Sequence, residues 1–423
     1  MQPRYVILIA PLPLKHRFER HAFWLIFAVS SVIRIVKVLA APRPPGTHLS
    51  EMENIARSLA LHGTFADPYL LPTGPTAHTA PAYPILLGLI FLLFGTGVAG
   101  EAASRIVSAM VSSVQYALLP RVSTALGLPR FTGAVAGLLA ALAPYKGYVE
   151  GSRDSVDQPY VALALVLLFL YTSKAWSSPP ETVSPVARGL WWGLASLFSP
   201  ILGFVFAAVI AYEFIVMRRH AGLVPLLAVF AIVQAPWAIR NWVDFHAFVP
   251  TRSNFGLELR ISNRPESFAL MEDNVSHGVM SRFHPGLNED EARKVAAEGE
   301  MAYTRSEMAD ARAEILRDPA RFLRLTGELI WRFWLAPSRR FKTTAASTAI
   351  MLLGLLGLCL LPSSPGTRLT WLILVTYPLV YYFIQVDARY TYPLGWIFLT
   401  PAVHAVMVAM QKLRPVRVAE WQP

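Results

Sequence analysis

Cysteine is all but missing from this chain: Cys359 is the single one among 423 residues. An intrachain disulfide and a thiolate metal cluster are therefore both excluded. Cys359 lies in an apolar run and is expected to be a small buried hydrophobe. Charge is scarce too, at 15% against 54% hydrophobic residues, with a mean hydropathy of +0.43. So little charge rules out an ordinary soluble domain and a disordered tail alike. Also lacking are a Gly-rich phosphate loop, a His-rich ligand cluster, a nucleophile elbow and a repeat of fixed period, which removes soluble nucleotide chemistry and solenoid folds. Acidic residues number 27 against 38 basic ones, for a formal charge of +11. In a chain this apolar, the excess of base is explained by cytoplasmic loops facing anionic lipid, with no nucleic-acid partner.

What remains is the composition of an all-helical protein that crosses the membrane many times. At roughly 20 residues per crossing, apolar stretches at 22–40, 103–119, 131–149, 157–173, a pair around Ser199-Pro200, 223–240, 343–361, 368–385 and 390–410 predict about ten transmembrane helices. Arg4, Lys15, Arg17 and Arg20 precede the first of these and place the N-terminus in the cytoplasm. That stretch ends in a sequence like a signal-peptidase site, but its length and its Arg34 and Lys37 favour a retained anchor. Basic loops at 121–130, 174–188, 218–220 and 412–417 can all be cytoplasmic only if nothing between 41 and 101 crosses. The apolar stretch 82–95 is accordingly expected to be re-entrant or interfacial.

Two external pieces follow, which divide the chain into an N-terminal transmembrane module at 1–240 with its loop 41–101, a mainly helical external segment at 241–342, and C-terminal transmembrane helices at 343–423. More than half of the acidic residues fall between Asp244 and Glu328. Asn288 and Glu291 have the spacing of a helix cap and its reciprocal acid, and Asp318-Pro319 reads as a second helix start. That second helix sets Phe322, Leu325, Leu329 and Phe333 on one side, as a helix lying along the interface would.

The segment 48–95 places an acid-bearing, turn-rich loop directly after the first span. Its strings "IARSLALHGTF" and "PTAHTAPAYPILLGLIFLLFG", followed by "PWAIRNWVDFHAFVPTRSNFGLEL", "EILRDPARFLRLTGELIWRFW" and "DARYTYPLGWIFL", resemble in order and spacing the GT-C superfamily of integral-membrane glycosyltransferases. Within it, the branch resembled is the one of protein O-mannosyltransferase-like and aminoarabinose-transferase-like enzymes, related to bacterial glycosyltransferase family 39. The resemblance touches both ends and the middle of the chain. It implies a GT-C fold and an inverting transferase that moves a sugar from a polyprenyl-phosphate donor to a hydroxyl of a lipid-linked or cell-envelope glycan. The implied location is the bacterial inner membrane, with the site facing the exterior and both termini cytoplasmic. No cofactor or metal beyond the donor substrate is implied.

An acceptor hydroxyl is a poor nucleophile, and a carboxylate within hydrogen-bond reach can remove its proton during attack. The resemblance puts Glu51 in that role. Glu51 equally suits the start of a helix, where the dipole favours an acid. Members often carry an Asp-Glu pair here, whereas this chain has Ser50 before Glu51, and Glu53 is the weaker alternative. Asp157, with Asp154 nearby in "RDSVDQPY", matches an acid-then-proline position and is read as orienting the acceptor or the base, or as a helix cap. Arg240 and Arg389, at external ends of spans, are read as contacts for the donor phosphate or as snorkelling cations, with His78 where the aminoarabinose transferases carry a phosphate-contacting lysine. Tyr390 and Tyr392 are further candidates for substrate contact. The alternatives are a transporter or flippase of amphiphilic lipids, for which intramembrane charge would also speak, and a non-catalytic relative that binds polyprenyl lipid.

Overall fold

The computed structural model describes residues 13–41, 50–142, 156–179 and 182–412. Those residues are helical and contain no strand, only two isolated bridges. Helix α1 (Pro13–Ala40) is followed by α2 (Glu51–His62), α3 (Ala82–Phe94), α4 (Val98–Ala117), α5 (Leu119–Ala125), α6 (Arg130–Leu142), α7 (Gln158–Ser177), α8 (Pro185–Ser196), α9 (Pro200–Ile215) and α10 (Leu223–Phe245). The polar segment forms α11 (Phe255–Asn263), α12 (Met271–Ser276), α13 (Val279–Phe283), α14 (Glu289–Glu298), α15 (Glu300–Arg317) and α16 (Pro319–Leu335). Then come α17 (Phe341–Cys359), α18 (Pro365–Thr376) and α19 (Gly395–Lys412).

Among the described residues, four helices are long and apolar enough to cross a bilayer: His21–Ala40, Gln158–Ser177, Leu223–Phe245 and Ala388–Lys412, the last counted with the tight turn before α19. Ala82–Phe94, Arg130–Leu142, Pro200–Ile215 and Thr344–Cys359 are apolar but shorter. The protein is thus an integral membrane protein. Helix α3, at 13 residues, extends about 20 Å, less than the roughly 30 Å of hydrocarbon.

Several boundaries differ from expectation for local reasons. The stretch 368–385 is not one helix: α18 stops at Thr376, and Tyr377-Pro378 opens a 3₁₀ turn over Tyr377–Tyr382. A proline cannot supply the amide that would continue an α-helix. A second such turn, Ala388–Leu394, contains Pro393 and leads into α19. Cys359 is not buried but sits on the exposed face of α17, where the surroundings of an apolar helix are lipid. Arg34, a cation within the first span, points into the bundle. It is fully buried, donating to Ser30 Oγ at 2.7 Å and to the Ala140 carbonyl at 3.2 Å, so it ties α1 to the end of α6.

The core runs through the bundle. α1 packs on α4 and α6, α7 on α4 and α18, α8 on α10, and α17 on α19. Trp192, Trp396 and Phe169 are among its large, fully buried side chains. The α17–α19 crossing depends on glycine: a Cβ at Gly357 would lie 2.0 Å from the Pro401 carbonyl oxygen. A separate small core joins Tyr69 from the first external loop to Leu257, Ile261, Val279, Val295 and Tyr303 of the polar segment. The loop after α1 and the polar segment therefore share one layer at one end of the bundle.

Candidate active site

The loop after the first span is built from capped turns. Ser50 and Glu53 make a capping box: the Ser50 hydroxyl accepts from the Glu53 amide, and the Glu53 carboxylate accepts from the Ser50 amide at 2.9 Å. Glu53 is thereby turned into the cap and lies outside the cavity, whereas Glu51, the first helical residue, projects into it. Gly63, at φ +70°, ends α2 in the left-handed region that a side chain would disfavour. The chain then doubles back through a tight loop closed by Asp67, whose carboxylate accepts from the Thr73 and Gly74 amides at 2.9 and 2.8 Å.

Glu300, at the start of α15, fixes the return. Its buried carboxylate accepts from the Thr76 hydroxyl, from the Ala77 amide at 2.9 Å and from the Ser253 hydroxyl at 2.6 Å. One acid thus clamps the loop carrying His78 to the segment entering α11. Burial raises the Glu300 carboxyl, and these three bonds oppose the rise only in part. His78 follows in the same loop, 3% exposed, with Nδ1 2.9 Å from the Tyr69 hydroxyl.

These elements surround a cavity of about 440 Å³. Glu51, His78, Asp157 and His284 bring titratable groups to it, Arg252 and Arg389 bring cations, and Ile201, Phe204, Val380 and Ile384 form an apolar side. Ser199-Pro200, the break between α8 and α9, also lines it. Glu51 is 31% exposed, with Oε1 3.8 Å from His284 Nδ1. Burial would raise its carboxyl, but the charge interactions with His284 and then His78, its own backbone bond and Arg389 outweigh that and hold it below the ordinary value. Of those charges, Arg389 acts at every pH and His78 only when protonated. His78 is held neutral: burial lowers it to about 3, with Glu51 opposing and His284 reinforcing the fall.

Asp157 does not cap α7. Its backbone precedes the helix, but its carboxylate makes no cap bond and instead accepts from Gln158 Nε2 at 2.8 Å. Burial raises its carboxyl above the usual range, opposed first by Arg389 and then by the Gln158 bond. Two acids in one cavity with opposite shifts is a pattern that suits divided roles, one ionised and one able to hold a proton. Asp154 lies outside the described residues.

Arg389 lines the cavity beside Tyr390, with Nε 3.5 Å from Asp387. Tyr390 lines it as well, stacked on Tyr381 at 4.4 Å between centroids, while Tyr392 reaches away to Ser112 Oγ at 3.1 Å. The phosphate contact expected of Arg240 is not what its surroundings provide. Its guanidinium donates to the Thr76 carbonyl at 2.6 Å and the Phe65 carbonyl at 2.9 Å, and pairs with Asp244 at 2.8 Å. It staples the loop to α10 from outside the cavity. The cation that does line the cavity beside Arg389 is Arg252, twelve residues on in the same quoted string, its Nε donating to Asn254 at 2.5 Å.

Arg252, Glu258 and His284 were not legible as site residues. Each sits in a polar stretch where similar residues are common, and only the small core around Tyr69 brings that stretch over the cavity. Glu51, His78 and His284 offer one ligand atom each within 4.8 Å of one another, a set able to hold a metal ion.

No protein-family model and no curated protein sequence matches the chain. Among solved structures, it is similar to the archaeal oligosaccharyltransferase AglB from Archaeoglobus fulgidus in complex with an inhibitory peptide and a dolichol-phosphate, with a TM-score of 0.56 and 15% identity over 94% of this chain. The same oligosaccharyltransferase in complex with Zn and sulfate gives 0.54 and 16% over 93%. The chain spans about half the length of these proteins, 51% and 49%. ArnT from Cupriavidus metallidurans bound to undecaprenyl phosphate matches at a TM-score of 0.41 and 14% identity, over 94% of this chain and 82% of that one. The likeness is one of fold, shared with the oligosaccharyltransferase over about half of its length.

Proposed function

We propose that the protein is an inverting glycosyltransferase that moves a sugar from a polyprenyl-phosphate donor to a hydroxyl of a lipid-linked or cell-envelope glycan outside the membrane. The observation that carries this reading is the cavity at the junction of spans and external layer. It combines an ionised acid at Glu51, cations at Arg389 and Arg252, and an apolar side toward the bundle. In the reaction, Glu51 takes the acceptor proton as its oxygen forms a bond to the anomeric carbon. The bond from that carbon to the phosphate oxygen breaks on the opposite face, and its electron pair leaves with the polyprenyl phosphate. Arg389 and Arg252 meet the negative charge that develops there. Asp157, close enough to Arg389 to feel its charge, orients the acceptor. Glu51 serves here as a base and not as a metal ligand, and the transfer requires no metal.

The use of GT-C folds with polyprenyl lipids supports the reading: AglB is seen with a dolichol-phosphate. A transporter of the same lipids would need no acid poised against a hydroxyl. Mass spectrometry of envelope glycolipids with and without the gene separates the two. Transfer predicts a glycolipid short of one sugar; an intact glycolipid stranded on the inner leaflet would indicate transport.

A further inference from the structure

Helix α7 carries the candidate active site at its start and a second hollow, of about 470 Å³, at its end. From Asp157 to Lys174 the helix rises about 25 Å, so the hollow lies at the opposite end of the span. It is lined by Arg121 of α5, Arg130 of α6 and Lys174 of α7, with Thr124, Ser173 and Ser177 between them. No carboxylate lines it, and among the described residues none pairs with any of the three cations. Arg121 has an aromatic neighbour, its guanidinium 5.8 Å from the Phe23 ring centroid. The hydroxyls already donate to helix carbonyls: Thr124 to Pro120, Ser173 to Leu170 and Ser177 to Ser173. The hollow therefore concentrates positive charge from three helices, with no counter-charge among the described residues.

Its surroundings indicate the kind of anion. Leu163, Leu167 and Leu170 precede Lys174 at intervals of four, three and four residues, which puts all four on one face of α7. Leu167 is 47% exposed, and Leu170 forms part of the hollow's wall. An apolar strip, exposed at Leu167 and half-buried at Leu163 and Leu170, thus leads along α7 to the ring of cations at its end. We infer that this hollow binds the phosphate of an anionic membrane lipid, with a lipid chain lying along the Leu163–Leu167–Leu170 face. Basic pockets between spans recognise phosphate-bearing headgroups in this way. The inference stands apart from the reading of the active site, because no residue is shared.

The test uses the full protein in neutral detergent, titrated with dioctanoyl phosphatidylglycerol, dioctanoyl phosphatidylcholine or inorganic phosphate and followed by native mass spectrometry and by melting temperature. Phosphatidylglycerol should bind saturably, at least tenfold tighter than either other probe. Arg121→Gln with Lys174→Gln should weaken it roughly twenty-five-fold, at about fivefold per cation, while the lipid-free melting temperature stays as in the wild type, since both side chains are exposed. Equal binding of phosphatidylcholine, or undiminished binding by the double variant, overturns the proposal. Inorganic phosphate binding as tightly as phosphatidylglycerol also overturns it, because the chain face would then contribute nothing.

Discussion

His78 shows how a single side chain couples the loop to the site. It is buried, bonded to Tyr69 and held neutral down to about pH 3, while the same histidine in an unfolded chain titrates near 6.5. The folded value is the lower one, so its contribution to stability is complete above pH 6.5 and is lost as pH falls from 6.5 toward 3, at about 1.4 kcal/mol per pH unit. Melting of the purified protein between pH 7 and 4 checks this. The wild type should lose more stability over that interval than His78→Gln, and parallel curves would contradict it. At this scale the sequence was a partial guide. Glu51, His78, Asp157, Arg389 and Tyr390 all reach the cavity. Arg240 does not: neighbouring carbonyls at Thr76 and Phe65 capture it, and backbone acceptors leave no mark in a residue string.

Among the elements, helix starts were the most legible features. Asn288 does cap α14, accepting from the Asp290 and Glu291 amides at 2.8 and 3.1 Å, and Asp318 caps α16, because capping is settled within four residues; Glu291 is not the reciprocal acid, its carboxylate accepting from Lys294 and the Tyr303 hydroxyl instead. The break at Tyr377-Pro378 was also written in the sequence, yet the apolar run on both sides masked it as one span. The closeness of α17 to α19 was not legible, since it depends on what faces Gly354 and Gly357 from forty residues away. Gly357→Ala should therefore destabilise the protein by about 1–3 kcal/mol, the range for overpacking a filled contact. Thermal unfolding in detergent measures it, and an unchanged midpoint would mean that the two helices can separate freely.

For the molecule as a whole, the claim from charge bookkeeping is that both external pieces share one side. Their common core around Tyr69 joins them in space. The topology itself is tested by labelling single cysteines introduced into a Cys359→Ser background. A membrane-impermeant reagent applied from outside should modify Thr96→Cys and Ser281→Cys but not Arg219→Cys. Reaction at Thr96→Cys from the cytoplasm alone would mean that α3 crosses the bilayer and would place the loop's two halves on different sides. The central claim, that Glu51 is the base of a metal-independent sugar transfer, is tested most directly by single-turnover transfer from a polyprenyl-phosphate sugar to envelope glycolipid acceptor in the presence of a chelator. The wild type should keep its rate under chelation, and Glu51→Gln, inserted and melting as the wild type does, should be at least about a hundredfold slower. Full turnover by Glu51→Gln, or loss of wild-type turnover that added zinc restores, would contradict it.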